Sequence, residues 1–228
     1  MSGAAQGSVR GWTAPARWVP VPLVALTFVP AVAGSLRLLE LAGGPQLLPD
    51  NPRIASSPWP AVLHISCALP YAVLGAFQFS TSLRRRHPRW HRAGGRVLVV
   101  LGLLVALSAL WMAQFYPRQP GTGELAHLLR LTAGSGMAAC ILLGLTAIRG
   151  GDVRAHQAWM TRGYALALAA GTQVLTQGIS TAAFGSAPPS TDLALGAGWV
   201  LNLAVAEYVI RRRPAGRALA AAQLPVHP

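Results

Sequence analysis

A chain of 228 residues with 53% hydrophobic and 11% charged residues is not composed like a soluble domain, which carries roughly 25% charged residues; this is the composition of a protein dissolved in a bilayer. The formal net charge is +13 and all nineteen basic residues are arginines. They gather where apolar runs end, so they read as topology signals facing anionic lipid headgroups, which argues against nucleic acid as a partner.

A membrane-spanning helix needs about 20 apolar residues. The sequence supplies six such runs in order: 18–41, 59–83, 95–116, 124–148, 157–184 and 193–210. Runs of that length without alternation predict helices and not barrel strands. The fold class expected is therefore an all-α, polytopic integral membrane protein of six transmembrane helices, with spans two to five as the core bundle. Residues 18–213 form its single domain; the Gly/Ala/Pro-rich tails 1–17 and 214–228 are expected to be disordered and cytoplasmic. Arg10 and Arg17 ahead of a first apolar stretch, with Ala31-Val32-Ala33 beyond, also fit a cleaved signal peptide, but the run continues to Leu41 and suits a retained span better.

Charge then orients the spans. Leu83 to Arg96, LRRRHPRWHRAGGR, holds six arginines between two apolar segments, a load too costly to translocate. With the N-terminus inside, fifteen arginines fall on the cytoplasmic side, and Arg37, Arg53, Arg118 and Arg130 remain outside. The asymmetry recurs at every loop and predicts a multi-pass membrane protein with both termini in the cytoplasm. Small residues, Gly134 and Gly136 in span four and Ala167 and Gly171 in span five, mark expected helix contacts, while Trp59, Trp90, Trp111, Trp159 and Trp199 lie towards span ends as an interfacial belt.

Four histidines stand at the ends of the middle spans. His64 and His127 share the outer depth, in spans two and four; His91 and His156 share the inner depth, at the entrances of spans three and five. Counting to Leu83, His64 is about 28 Å from the inner end of its helix at 1.5 Å per residue. A bundle with imidazoles paired in each leaflet is suited to clamp haem b between two axial ligands. In span and ligand order this resembles the transmembrane two-haem cytochromes of the ascorbate-recycling type, although no sequence motif carries that likeness. Arg130, Arg92, Arg96 and Arg162 are candidates for its propionates; apart from Arg130, they fit equally as positive-inside charge. Each histidine also fits a helix cap or a headgroup contact.

His64, Cys67, Tyr71, Gln78 and Ser82 form a polar stripe along span two, expected to face the bundle because polar groups are costly in lipid. His87 and His91 are spaced as HxxxH, the spacing of iron-dependent membrane desaturases, but Pro88 should start a helix and leave His87 outside it, and no further histidine box exists. Glu207 is expected to pair with Arg211 one turn on. Asn202 reads as a bundle contact, and Thr172, Gln173, Thr176 and Gln177 as either packing or the lining of a quinone-sized cavity. Cys67 and Cys140 lie within spans, and no CxxC or CxxCH suggests zinc or covalent haem.

The stretches GAFQFSTSLRRRHPRWHRAGGR, RLTAGSGMAACILLGLTAIRGGDVRAHQAWMTRGYALALAAGTQ and AGWVLNLAVAEYVIRR resemble a bacterial family of predicted membrane proteins, domain of unknown function 2306. The resemblance covers about residues 60–213 and rests on the HR-x-x-GR and H-x-x-WM-x-R-x-Y pieces. The matching positions are His64, Gln78, His91, Arg92, Arg96, His156, Met160, Arg162 and Tyr164; His127 falls in no motif of that family. It implies a membrane protein and no established activity. The function expected first is thus a b-type haem electron carrier. Without GxGxxG, Walker A or flavin motifs its redox partners, a quinone or a protein, would be separate molecules. A small-molecule permease or a structural protein without chemistry are the alternatives, and no motif assigns an enzymatic reaction.

Overall fold

A computed structural model describes residues 18–212; the predicted tails, and with them Arg10, Arg17, Arg213, Arg217 and His227, lie outside the described residues. Within them the chain is all-α: α1 (Pro20–Leu41), α2 (Pro52–Ala55), α3 (Pro58–Gln78), α4 (Thr81–Arg86), α5 (Pro88–Phe115), α6 (Glu124–Arg149), α7 (Val153–Phe184) and α8 (Pro188–Arg211). Proline opens α1, α3, α5 and α8, where its missing N–H would have had no helical acceptor.

The six long helices are the six expected spans. Five are long and apolar enough to cross a membrane: α1, α3, α5, α6 and α8. The sixth, α7, is diluted by its Thr/Gln patch, and it can carry that patch because it packs against α1, α6 and α8. Thr172 Oγ1 donates to Asn202 Oδ1 (2.7 Å), Gln173 Nε2 to Leu195 O (3.0 Å) and Thr176 Oγ1 to Ala194 O (2.7 Å). Three of the four residues thus bind α8, and Asn202 returns a bond to Ala165 O (3.1 Å).

The helix ends differ from the hydropathy limits. α3 stops at Gln78, and the rest of its apolar run, through Leu83, enters the separate α4, capped where Leu83 N donates to Ser80 Oγ (3.3 Å). His64 is therefore fourteen residues from the end of its helix, about 21 Å and not 28 Å. α5 starts at Pro88, with His87 outside at the N-cap as Pro88 implied, and α7 starts at Val153, where Asp152 accepts from Ala155 N (2.8 Å). Charges end an apolar window, but a helix whose backbone bonds are internal runs on through them.

α3, α5, α6 and α7 form a ring in that order, which places α5 and α7 across its diagonal; α1 covers the seam between α3 and α7, and α8 lies on α7 and α6. The core is Tyr71, Leu98, Val105, Met137, Ile141, Tyr164 and Leu168. Tyr71 fits over Gly102: a carbon placed there would lie 2.6 Å from the ring and 2.7 Å from Ile141, so the absence of a side chain lets three helices converge. Tyr164 donates to Ala72 O (2.5 Å) and stacks between Tyr71 (5.9 Å) and Phe79 (5.1 Å).

Segments 42–57, 116–123 and 185–187 meet on one face. Arg53 Nε donates to Pro117 O (2.6 Å), Tyr116 donates to Ser57 O, and Gly123 N donates to Asp192 (2.9 Å). Segments 79–87 and 150–152 form the other face. Reporter fusions after Pro120 and Pro189 are therefore expected to read one compartment and a fusion after Gly151 the other; opposite readouts at Pro120 and Pro189 would overturn the alternation.

Candidate functional site

The expected polar stripe is cut short, because α3 ends at Gln78 and Ser82 falls in α4; the part on α3 faces protein. Cys67 and Tyr71 are each 6% exposed, and Gln78 lies against Gly94 of α5. His64 reaches α5: its Nδ1 is 3.1 Å from Val105 O and 3.1 Å from Ser108 Oγ. A carbonyl has no proton to give, so Nδ1 carries the hydrogen and the neutral ring keeps its lone pair at Nε2. Ser108 supports the arrangement by donating to Leu104 O (2.6 Å).

His64 and His127 line one cavity of about 460 Å³, within the roughly 300–1,000 Å³ typical of ligand and cofactor pockets. It enters from the face bearing Arg53 and Arg130 and descends between α1, α3, α5, α6 and α7 to Tyr71, Met137 and Leu168, which belong to the core. His127 is half-buried and makes no hydrogen bond among the described residues. Arg130, three residues later on the same side of α6, donates from Nη2 to Gln119 Oε1 (3.0 Å).

At the opposite face His156 repeats the pattern of His64. Its Nδ1 lies 2.8 Å from Gly144 O of α6, so Nδ1 again carries a proton and donates to a carbonyl. His91, one turn into α5, is within electrostatic reach of both His156 and Arg84. Its Nδ1 is buried and has no hydrogen-bond partner among the described residues, an omission that costs about 1–3 kcal/mol unless something else supplies the partner. This end is more closely filled: Met160 packs against Gly144, Gln78 against Gly94, and Phe79 against Tyr164.

The arginines divide. Arg92 and Arg96 are exposed on α5 and Arg162 is held elsewhere. Arg162 binds Glu207 of α8 through two bonds, Nε to Oε1 at 2.5 Å and Nη2 to Oε2 at 3.2 Å, with its guanidinium 4.7 Å from the Trp159 ring centre. Glu207 therefore pairs across helices first, and the expected Arg211 contact is secondary at 3.8 Å; the i,i+4 rule weighed only the local partner. The sequence reading missed Arg53, whose place at the cavity mouth is set by the 64-residue jump to Pro117. It also missed Ser108 and Arg84, which no spacing rule connects to a histidine. Among the described residues no three His, Cys, Asp or Glu side chains gather as a metal-binding group.

A family model described as a predicted membrane protein of domain of unknown function 2306 matches residues 61–210. The match covers α3 from its fourth residue to the last turn of α8; α1 and α2, which supply one wall of the cavity, precede it. No curated protein and no solved structure matches the chain. The chain belongs to that family.

Proposed function

We propose that this member of the DUF2306 family is a b-type haem electron-transfer protein of the bacterial inner membrane, with paired histidines as axial ligands near each face. The observation that carries the reading is that His64 and His127, from α3 and α6, line a single cofactor-sized cavity. A second pair, His91 and His156 from α5 and α7, stands at the other face within electrostatic reach.

The chemistry of the donor set supports it. An axial imidazole orients itself by donating its second ring N–H to a carbonyl or carboxylate, and His64 and His156 both do so, to Val105 O and Gly144 O. Bound haem would supply one-electron chemistry between its ferric and ferrous states. The chain's own residues hold the rings, exclude water through the apolar lining, and keep the two layers about 20 Å apart with Tyr71, Tyr164 and Phe79 between them. The expected orientation, with the six arginines from Arg84 to Arg96 in the cytoplasm, would put the His64–His127 cavity at the outer face. Electron donor and acceptor would then be separate molecules on opposite sides, a quinone or a redox protein among them.

The permease alternative has less to stand on. The cavity ends on packed core residues, and most of the polar patch of α7 is spent on α8. The deciding experiment is an optical spectrum of the protein purified from membranes, followed by titration with hemin. The expected result is a reduced-minus-oxidised spectrum of low-spin bis-imidazole haem with two haems per chain. A chain that carries no haem and takes up none on titration removes the reading.

A further inference from the structure

The mouth of the cavity holds two cations that form no ion pair among the described residues. Among the described residues the ion pairs are Arg37–Glu40, Arg118–Glu124, and Arg162 and Arg211 with Glu207; Arg53 and Arg130 belong to none. They nevertheless sense one another's charge. Asp192 is within reach of Arg130, but it is 3% exposed and its oxygens are occupied by amides at the start of α6: Gly123 N at 2.9 and 3.1 Å and Ala126 N at 3.1 Å.

Both guanidinium groups are also held in place. Arg53 is fixed through Nε to Pro117 O, with the Tyr116 ring centre 5.8 Å from its guanidinium carbon. Arg130 is fixed through one Nη to Gln119. The remaining N–H groups have no acceptor among the described residues. Burial pushes the Arg53 guanidinium below its ordinary value, opposed by Tyr116, yet an arginine stays charged. Two like charges in a partly desolvated mouth repel, and an anion between them would turn that repulsion into two charge-assisted pairs. Below the cations the lining becomes apolar, with Met112, Ala133, Met137 and Leu168.

We infer that Arg53 and Arg130 form a carboxylate-binding site for an amphipathic ligand whose apolar body occupies the cavity beneath them. The inference does not require haem. The carboxylate has two sources, the propionates of a haem bound by His64 and His127 or a fatty acid drawn from the surrounding leaflet. Either source uses the same two guanidinium groups, and neither is read by His91, His156 or the arginines of the other face.

The test uses detergent-purified full-length protein and four probes: palmitate, its methyl ester, hemin and hemin dimethyl ester. Wild-type protein is expected to bind at least one acid tenfold or more tightly than its ester, and R53Q/R130Q to lose that preference while still binding the ester. Palmitate preference in haem-free protein assigns the site to a leaflet-derived acid. Hemin preference, with palmitate excluded after hemin loading, assigns it to the cofactor's propionates. Equal binding of acid and ester, a preference that survives in R53Q/R130Q, or binding of no probe overturns the inference. Should R53Q/R130Q lose ester binding as well, R53K/R130K decides, because it keeps both charges: a retained acid preference supports the site and a lost one overturns it. A chain that prefers palmitate but takes up no haem would keep this site and remove the electron-transfer reading.

Discussion

On the haem reading proposed above, His64→Ala is expected to lower haem content from two per chain to one, and His156→Ala to do the same by removing the other haem. The two losses should be additive, because the pairs occupy opposite faces with the packed residues Tyr71, Ile141, Tyr164 and Leu168 between them, and sites without shared partners behave independently. His127→Ala should match His64→Ala, and His91→Ala should match His156→Ala. His87→Ala is the control, since His87 stands at the N-cap position outside α5 without a side-chain capping bond, and its loss should leave both haems in place. Ser108→Ala is a finer one: His64 keeps its bond to Val105 O, so haem should be retained. Pyridine haemochrome assay against protein concentration reads all six. Wild-type haem content in all of the His64, His127, His91 and His156 variants would mean that none is a ligand. A loss with His87 comparable to that with His91 would point to general damage at the arginine-rich loop.

Gly171→Val is expected to destabilise the protein by more than the roughly 1–3 kcal/mol usual for overpacking, because the obstacle is backbone. Pro30 has no N–H, so the Leu26 carbonyl four residues earlier in α1 loses its helical donor. That carbonyl lies directly on Gly171 of α7. A carbon added at Gly171 would fall inside contact distance of Leu26 O and 2.9 Å from the carbonyl carbon, and no rotamer change can move either. α1 would have to withdraw, and with it Thr27, Pro30, Ala31 and Gly34 from the cavity wall. Gly178→Ala on the same helix meets nothing within 4 Å and is expected to be neutral or to stabilise by about 0.5–1 kcal/mol, since glycine is the poorer helix former. Thermal unfolding in detergent compares the two. A Gly171→Val protein that melts with the wild type would show that α1 does not pack as described.

Sequence alone determined the parts that depend on hydration of individual residues. Six unbroken apolar runs can only be helices in a bilayer, because each backbone group must be satisfied within its own segment, and the alternation of arginine-rich and arginine-poor loops follows from the cost of moving charge. The stripe of His64, Tyr71 and Gln78 was legible for the same reason: polar side chains on one side of a lipid-embedded helix have to face protein. Pro88 located the start of α5, because proline's missing N–H is tolerated in a first turn. What tertiary structure decided is every contact whose partners are distant in the chain. Val105 O orients His64 across 41 residues, Glu207 claims Arg162 across 45, and Pro117 draws Arg53 to the cavity mouth across 64. Local spacing describes neighbours on one helix, whereas these pairings depend on how the helices cross. Those crossings are set by glycine contacts such as Gly102 with Tyr71 and Gly171 with Leu26, whose partners no pattern in the chain identifies.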